Sequence, residues 1–388
     1  MRRNIGKGSL SFLLVLCGLL LGSRASAQNS PPVITFDAPG AGTTHGEGTW
    51  ATAINAGGAI AGNYIDSGGA CHGFIRNVDG IYISFDTPLG QLGAPTCPLS
   101  TSISASGVIT GAEGDPSFGC TTWSRFDRTP IGCGGSHGFI RMADGTITVF
   151  DGPVNPSFGN PSTFPTAINS TNAVVGQYNT CDQGQCSTSF LRTPDGTFST
   201  FDPPGATPYN GPRPVGINAS GTIAGTFVAD SNLGHGYLRA PDGTFTAIDA
   251  PGAALGANGS GGTSLAGINS MGAVTGSFTD ANSVVHGYVR APDGTFTIFD
   301  VPGSVSTGAG SINDKGTVVG GYATPTPSGP YNFPVFLRAA DGTFTTFDAP
   351  VQSFALSSGV SSSNAVAGNY QDADFVTHSF LRPGNARN

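Results

Sequence analysis

The residues most able to do chemistry in this chain form a repeated set of His, Arg and Asp. Residues 235–253 read HGYLRAPDGTFTAIDAPGA, and residues 286–304 repeat them as HGYVRAPDGTFTIFDVPGS. A His beside an Asp can serve as a general base whose ring the carboxylate orients. The same two groups can also form a hydrogen-bonded pair that only supports the fold. The number and placement of the copies decide between these readings.

A tight turn places the two groups of each pair. Pro241-Asp242-Gly243 predicts the turn, because proline presets φ, aspartate caps the turn and glycine accepts a positive φ. Counting back along the two strands places His235 opposite Ile248 or Asp249. Five units combine such a His with an Asp that ends a fourth strand. The residues are His72, His137, His235, His286 and His378, with Asp86, Asp151, Asp249, Asp300 and Asp37. Five copies cannot converge on one substrate, so we interpret them as structural pairs.

The whole chain is built from repeats of about fifty residues. The phrase F-x-x-F-D, or a near variant, ends at Asp37, Asp86, Asp151, Asp202, Asp249, Asp300 and Asp348. A second phrase, aromatic-aliphatic-Arg, ends at Arg76, Arg141, Arg192, Arg239, Arg290, Arg338 and Arg382. We expect these arginines to be hydrogen-bond ties near the end of the third strand. Each unit contains four short runs typical of β-strands, and no segment keeps a helical period.

Four antiparallel strands per repeat at this period are typical of a β-propeller blade. We therefore predict an all-β fold, a seven-bladed β-propeller formed as a single domain by residues 28–388. Residues 33–37 carry a fourth-strand phrase with no earlier strands, and residues 379–382 carry a third-strand phrase with nothing after it. The N-terminal strand is thus expected to complete the last blade and leave no open edge. A β-solenoid, which does not need complementary ends, ranks second.

The third-strand phrase resembles a known family of bacterial extracellular repeats, the HAF repeats, named for a His-Ala/Gly-Phe signature. The matching tripeptides begin at His72, His137, His235, His286 and His378. The third and sixth units depart from the signature, with Thr188-Ser189-Phe190 and Pro334-Val335-Phe336. The resemblance covers nearly the whole mature chain and implies an exported repeat protein, but it implies no biochemical activity.

The N-terminus predicts export. Arg2, Arg3 and Lys7 precede an apolar run over residues 10–21, and Ala25-Ser26-Ala27 fits a cleavage site. We expect a signal peptide of residues 1–27, cleaved near Ala27, and a secreted, periplasmic or extracellular protein. An ordinary leader is favoured over a twin-arginine signal, and the run is short for a membrane span.

The charge balance excludes several classes of partner. Of the 16 Lys and Arg, four lie in the predicted leader, which has no acid, so the mature chain has 12 basic and 24 acidic residues. Such a chain is a poor binder of nucleic acid and of anionic membranes, because both need clustered cations. We expect a monomer that uses no cofactor.

The recurring Asn-x-x-Gly phrase has two interpretations. It occurs at Asn55, Asn169, Asn218, Asn269 and Asn313, with Asn172 in place of the glycine in the third unit. An Asn at the first place of a turn can hydrogen-bond the backbone further along, which gives an Asx-turn between the first two strands. The alternative is a row of ligands lining a central channel.

Six cysteines follow the predicted leader, an even number that suggests disulfides in an exported protein. We predict Cys120–Cys133 and Cys181–Cys186, each within one loop, and by elimination Cys71–Cys97. Cys71 begins a third strand, and Cys97 lies just past the antiparallel fourth strand.

The second unit carries an insertion, residues 111–136, in which Cys120 and Cys133 bracket the central part. It holds aromatic and planar hydrogen-bonding side chains suited to contact with a sugar or a protein surface. The candidate ligand-binding residues are Phe118, Trp123, Arg125, Phe126 and Arg128. A disulfide-stapled loop without a ligand is the alternative.

We therefore predict an exported, non-enzymatic binding or cell-envelope interaction module. It would use the face of the propeller that carries the longer, variable connections, with a glycan or a protein as its ligand. The alternative is an extracellular polysaccharide-active enzyme, a glycosidase or lyase, which would need two carboxylates close together. Its candidates are Glu47, Glu113, Asp115 and Asp127. No metal site is predicted, because isolated acids do not supply the ligands of a calcium site.

Overall fold

The computed structural model of this protein is all-β. It describes residues 32–88, 97–114, 122–123, 130–131, 135–153, 162–180, 186–207, 211–229, 232–256, 259, 261–326, 331–348 and 356–384. These residues form strands β1 to β30 and contain no helix. Accordingly, no helix able to cross a membrane occurs in this part of the chain. The predicted leader, residues 1–27, lies outside the described residues and stays a prediction.

The strands follow the repeats of the sequence. After β1 (Ile34–Phe36), the first repeat has β2 (Gly48–Ile54), β3 (Ile60–Ile65), β4 (Cys71–Arg76) and β5 (Tyr82–Phe85). The second has β6 (Leu99–Ile103), β7 (Ile109–Gly114), the inserted β8 (Thr122–Trp123) and β9 (Pro130–Ile131), then β10 (Ser136–Arg141) and β11 (Ile147–Phe150). The third has β12 (Thr163–Ile168), β13 (Val174–Asn179), β14 (Ser187–Arg192) and β15 (Phe198–Phe201).

The later repeats keep this plan. The fourth has β16 (Arg213–Ile217), β17 (Ile223–Val228), β18 (Leu233–Arg239) and β19 (Phe245–Ile248). The fifth has β20 (Gly261–Ile268), β21 (Val274–Thr279), β22 (Val285–Arg290) and β23 (Phe296–Phe299). The sixth has β24 (Ser306–Ile312), β25 (Val318–Ala323), β26 (Val335–Arg338) and β27 (Phe344–Phe347). The last has β28 (Leu356–Val360), β29 (Val366–Gln371) and β30 (Thr377–Arg382).

Within each repeat the strands pair antiparallel in chain order, which gives sheets of four strands. The last repeat supplies only three, and β1 pairs with β30 as the fourth, with Ile34 opposite Leu381 and Phe36 opposite Ser379. This is the pairing expected from the incomplete phrases at the two ends of the sequence. Short parallel contacts join β30 to β2 and β18 to β20, so neighbouring sheets touch at one end.

The turns between first and second strands depend on the recurring Asn. The Oδ1 atom of Asn55 accepts a hydrogen bond from the Ala59 amide at 3.0 Å, as an Asx-turn requires. Its Nδ2 donates to the carbonyl of Ser104 in the next repeat at 3.0 Å. Asn169, Asn269 and Asn313 donate to the following repeat in the same way. The oxygen and the nitrogen of these buried side-chain amides both form hydrogen bonds within the protein. They are therefore not available as ligands in a central channel.

Glycine recurs in the second strand because the third-strand aromatic ring lies directly against it. A Cβ would come within 3 Å of that ring at Gly62, Gly111, Gly176, Gly225, Gly276 and Gly320. The first strand is bulged opposite this glycine in the first repeat, where the register shifts between Ala51 and Ala53. The close approach lets the ring fill the space beneath its own sheet.

The apolar core lies between consecutive repeats. Every cluster of buried apolar residues draws its members from two adjacent repeats, for example Phe201 and Tyr237. One cluster joins the last repeat to the first, with Ala367 against Ile60 and Phe74. Each sheet is therefore held to its neighbours by the burial of apolar surface, which stabilises the fold by about 25 cal/mol per Å².

We predict that adjacent glycines in β25 differ sharply in tolerance to alanine. A Cβ at Gly320 would overlap the Gly308 carbonyl and lie 2.7 Å from the Phe336 ring, whereas at Gly321 its nearest neighbour would be the Pro334 carbonyl at 3.8 Å. Gly320→Ala should lower the free energy of unfolding by about 2 kcal/mol, measured by urea denaturation. Gly321→Ala, the matched control, should change it by less than about 0.5 kcal/mol. Equal losses would contradict this packing.

Candidate functional site

The five predicted His–Asp pairs are all formed. Nδ1 of the His meets the carboxylate of the Asp at 2.6 Å for His72–Asp86, His137–Asp151 and His235–Asp249. The corresponding distance is 2.9 Å for His286–Asp300 and His378–Asp37. In four of these pairs the His lies in the third strand, and the Asp directly follows the fourth strand of the same repeat. In the fifth, His378 of β30 meets Asp37 at the end of β1, so this pair depends on the joined ends of the chain.

Three of these imidazoles touch a second carboxylate that the sequence reading did not assign to them. Nε2 lies 3.5 Å from Asp66 in His72, 3.7 Å from Asp280 in His286 and 3.3 Å from Asp372 in His378. Asp66, the best example, also accepts the amides of Gly68 and Ala70, and these backbone hydrogen bonds lower the pKa of its carboxyl. The carboxylate therefore joins the turn after the second strand to the third-strand histidine.

An aromatic ring of the second strand covers one face of most of these imidazoles. The ring centroids are 4.9 Å apart for Tyr64 and His72 and 5.2 Å apart for Phe227 and His235. Phe278 and Tyr370 cover His286 and His378 at 5.1 and 5.3 Å. In His72 and His378 one face is stacked and both ring nitrogens are within hydrogen-bond distance of carboxylates, so neither nitrogen is free for proton transfer to a substrate.

Three repeats depart from this arrangement, and in the sixth repeat Pro334 stands in place of the histidine. In the second, Glu113 stands where the others have the stacking aromatic, opposite His137 in the β7–β10 register, and it is 1% exposed. In the third, Thr188 replaces the histidine, and burial raises the pKa of Asp202 above its usual range. The carboxyl of Asp202 receives hydrogen bonds from the Ser189 amide and the Thr188 hydroxyl, which only partly offset that burial.

The third-strand arginines make a contact that the sequence reading missed. The Arg239 guanidinium lies over the Phe201 ring, 4.9 Å from its centroid, and Phe201 belongs to the preceding repeat. The same stacking, at 4.8 to 5.3 Å, occurs at Arg76, Arg141, Arg192, Arg338 and Arg382. The ring is the second Phe of F-x-x-F-D, which is the sequence signal that could have revealed it. Arg290 is the exception, because Ile248 stands at that place.

These arginines are also less hydrogen-bonded than expected. Nη1 of Arg192 reaches the carbonyl of Thr193 at 3.4 Å, and its buried Nε has no hydrogen-bond partner among the described residues. Burial lowers the pKa of Arg141, Arg192, Arg338 and Arg382. Stacking on the negative face of the ring is therefore the main compensation for a partly desolvated cation.

The predicted disulfide Cys71–Cys97 is present and joins the start of β4 to the segment after β5. Cys186 is disulfide-bonded, and its predicted partner Cys181 lies outside the described residues. Cys120 and Cys133 also lie outside them.

The insertion in the second repeat is shorter than the predicted range of residues 111–136. Residues 111–114 belong to β7, where Gly111 pairs with Phe139 and Ser100, so the inserted segment begins after Gly114. Trp123 lies in β8, opposite Pro130 of β9. The other proposed ligand-binding residues lie outside the described residues, namely Phe118, Arg125, Phe126 and Arg128.

The carboxylates proposed for an enzyme are not brought together among the described residues. Glu113 is buried within the second sheet, whereas Glu47 lies in the loop before β2 and accepts the Thr44 amide at 2.7 Å. Asp115 and Asp127 lie outside the described residues. In the described part of the chain no three His, Cys, Asp or Glu side chains form a metal-binding group.

Antiparallel pairing separates the connections of each sheet into two sets. Turns between first and second, and third and fourth, strands lie at one end, here called the turn face. Connections leaving the second and fourth strands lie at the other end, here called the loop face. The described residues of the loop face include 38–47, 66–70, 250–256, 301–305, 331–334 and 372–376.

The connections on the loop face are not all long, although the sequence predicts long and variable ones there. Residues 66–70 form a tight turn closed by a hydrogen bond from the Asp66 amide to the Ala70 carbonyl, and residues 372–376 do the same. Long second-to-third connections remain in the second, third and sixth repeats. The loop face nevertheless carries Tyr331, Phe333 and Phe375, which are 54%, 46% and 59% exposed.

No protein-family model matches this chain, and no curated protein is similar enough to count as a relative. Solved structures do share its fold. The β-propeller domain of the Trilobed protease from Pyrococcus furiosus, reported with an open velcro topology, is 11% identical over 87% of this chain and 97% of that chain, with a TM-score of 0.50. A structure from a study of two prolyl endopeptidases is 9% identical over 92% of this chain, with a TM-score of 0.56.

This chain spans only about half of that prolyl endopeptidase, 51% of its length. The six-bladed lectin of Aleuria aurantia is 10% identical over 81% of this chain and 96% of that chain, with a TM-score of 0.40, too weak a likeness to carry an argument. Identities this low show the fold alone, and the fold is a β-propeller.

We predict that Arg239, which stacks on the Phe201 ring, stabilises the fold more than Arg290, which has Ile248 at the matching place. Arg239→Met should lower the free energy of unfolding by about 1 kcal/mol more than Arg290→Met, because only the first removes a cation–π contact. Urea denaturation of both variants measures the difference. The two substitutions are matched in chemistry and repeat position, so equal losses would contradict a stabilising role for the ring.

We predict a pH-dependent contribution from His378. Burial, the largest influence, lowers the pKa of His378, but hydrogen bonds and charge from Asp37 and Asp372 together raise it above the ordinary value. A histidine whose pKa is higher in the folded than in the unfolded state stabilises the fold fully below the unfolded pKa of about 6.5. That stabilisation is lost as the pH rises through the folded pKa.

His378→Gln should therefore lower the free energy of unfolding by more at about pH 5.5 than at about pH 9. Urea denaturation at both pH values measures it. Burial, the largest influence, raises the pKa of Asp372, but hydrogen bonds from the Val376 amide, His378 and the Asp374 amide together lower it below the ordinary value, so this carboxyl stays ionised across the range. In an Asp37→Asn background the pH dependence should shrink. A difference that does not change with pH would contradict the assignment.

Proposed function

We propose that this chain is an exported, seven-bladed β-propeller that binds an extracellular glycan through its loop face. Export is supported by the leader pattern of residues 1–27 and by Cys71–Cys97, since disulfides persist in oxidising compartments. A closed ring of seven blades is supported by the four-stranded sheets, by β1 beside β30 and by the apolar cluster that joins the last repeat to the first.

The exposed aromatic residues carry the proposal of glycan binding. Among the described residues, the exposed large aromatic side chains are Tyr331, Phe333 and Phe375, and all three lie on the loop face. The turn face exposes aliphatic side chains instead, such as Val78 and Met271. The C–H groups of a pyranose face carry partial positive charge and stack on the negative face of an aromatic ring. A scaffold that concentrates exposed rings at one end is suited to such stacking.

Binding without turnover is supported by the state of the repeated polar groups. The histidines are engaged with carboxylates, and the Asn amides are used between repeats. The polysaccharide-active alternative has less support, because Glu113 is buried and Glu47 is engaged by the loop that contains it. Recognition by side chains that project from a rigid sheet scaffold is the more economical reading.

The test is a glycan array probed with the exported protein and two paired variants. Tyr331→Ser with Phe333→Ser removes rings from the loop face, and Val78→Ser with Met271→Ser removes exposed apolar side chains from the turn face. We expect the first variant to reduce the affinity for the bound glycan about tenfold or more, since losing two stacking contacts costs at least 1.4 kcal/mol. The second should bind as the natural protein does.

Two results would contradict the proposal. One is an array on which no glycan is bound by the natural protein. The other is an equal loss in both variants, which would show that the loop face has no special part. Release of sugar from a bound glycan would favour the enzyme instead.

A further inference from the structure

Phe375 occupies a backbone conformation that an aromatic residue seldom adopts. It lies in the turn between β29 and β30 with φ at 59°, in the left-handed region, and its side chain is 59% exposed. The same place in the other tight loop-face turns is held by Gly69, Asn232 and Ser283, also with positive φ. Glycine and asparagine tolerate this region, whereas a bulky side chain is strained there. An exposed ring kept at a strained position points to a use outside the fold.

The strained turn is held by a network that ties it to the loop before β2. The Phe375 amide donates to the Asp372 carbonyl at 3.2 Å, and the Gly46 amide donates to the Phe375 carbonyl at 3.3 Å. The Thr377 amide donates to the Glu47 carbonyl at 3.1 Å. Within the loop, the Thr44 amide donates to the Glu47 carboxylate at 2.7 Å. The ring of Phe375 therefore projects from backbone fixed on both sides, and a ligand would meet a preorganised surface.

A second ring extends this surface. The imidazole of His45 lies 5.5 Å from the Phe375 ring, centroid to centroid, with an angle of 53° between the planes. His45 is exposed and is the one histidine of the six that lies outside the repeated third-strand phrase. The fold does not need it for a His–Asp pair, so the two exposed rings form a platform that the repeat pattern does not explain.

The charge around the platform is negative. Residues 37–47 and 372–378 contain Asp37, Glu47, Asp372 and Asp374 and no Lys or Arg. Asp37 and Asp372 are engaged with His378, whereas Asp374 is exposed next to Phe375 in the chain. Carboxylates beside an aromatic face favour a cationic ligand through charge and through the ring quadrupole.

We propose that Phe375 and His45 form a subsite for an amino-sugar residue of the glycan. The pyranose face stacks on the Phe375 ring, and the ammonium group is attracted by Asp374 and Glu47. This inference rests on the proposed glycan binding and names the class of sugar that one part of the loop face takes. It also explains why the turn keeps phenylalanine where its counterparts have Gly, Asn or Ser.

The test measures calorimetric binding of a glucosamine tetramer and of its N-acetylated counterpart. The natural protein should prefer the free amine, and Phe375→Asn should weaken its binding about tenfold. Asn232 adopts the same conformation in the fourth repeat, so the melting temperature of Phe375→Asn should be unchanged or raised. The variant keeps the net charge, so unspecific attraction to an acidic protein is the same in both. Asp374→Asn should reduce the preference for the free amine.

The proposal is overturned by any of three results. The first is equal binding of the tetramer by Phe375→Asn and the natural protein. The second is a melting temperature that falls steeply in Phe375→Asn, which would make the ring structural. The third is a lysine tetrapeptide that binds as tightly and with the same dependence on Phe375, which would make this a site for protein side chains. If Phe375→Asn binds normally while the Tyr331 and Phe333 variant loses its glycan, the subsite is wrong and the proposed function stands.

Discussion

The pairing of β1 with β30 is the constraint on which the rest of this structure depends. It joins residues from opposite ends of the chain, and His378 and Asp37 are 341 positions apart. Bringing such distant segments together costs loop-closure entropy, which the contacts at the joint must exceed. Those contacts include three backbone pairings, the Phe36 ring under Arg76 and the His378–Asp37 hydrogen bond. Without β1 the last sheet would expose an unpaired edge at β30, and Arg76 would lose the Phe36 ring on which its guanidinium stacks.

The same few contacts recur between repeats, which explains how a chain with few charges and much glycine stays ordered. Each sheet buries apolar surface against the next one. In most repeats an arginine stacks on a phenylalanine of the preceding sheet, and an Asn side chain donates a hydrogen bond to a backbone carbonyl of the following sheet. The arginine contact is the least expected, because a desolvated guanidinium usually needs a carboxylate. In this protein the guanidinium stacks on an aromatic ring instead, and the carboxylates form hydrogen bonds with the histidines.

Much of this fold could be predicted from the sequence, because its turns fix the register locally. The Pro-Asp-Gly turn sets the third and fourth strands, so the His–Asp pairs and the strand order could be derived by counting. The contact of Arg239 with Phe201 could not be derived by such counting, because the two residues lie in different sheets, although both belong to phrases that repeat in the sequence. The start of the insertion was misplaced because Gly111 reads as a loop residue, although it lies under the Phe139 ring. The left-handed Phe375 gave no signal, because the turn motif usually places a small residue there.

Hydrogen–deuterium exchange of the protein, followed by mass spectrometry of its peptides, tests the central claim most directly. Peptides covering residues 32–38 and 377–382 lie at the joint, and a peptide covering residues 213–217 in β16 serves as the internal reference. If β1 completes the last sheet, amides of residues 34–36 are protected together with those of β30 and are released in the same unfolding event. Exchange of residues 34–36 at the rate of an unstructured peptide, while β29 and β30 remain protected, would contradict the account.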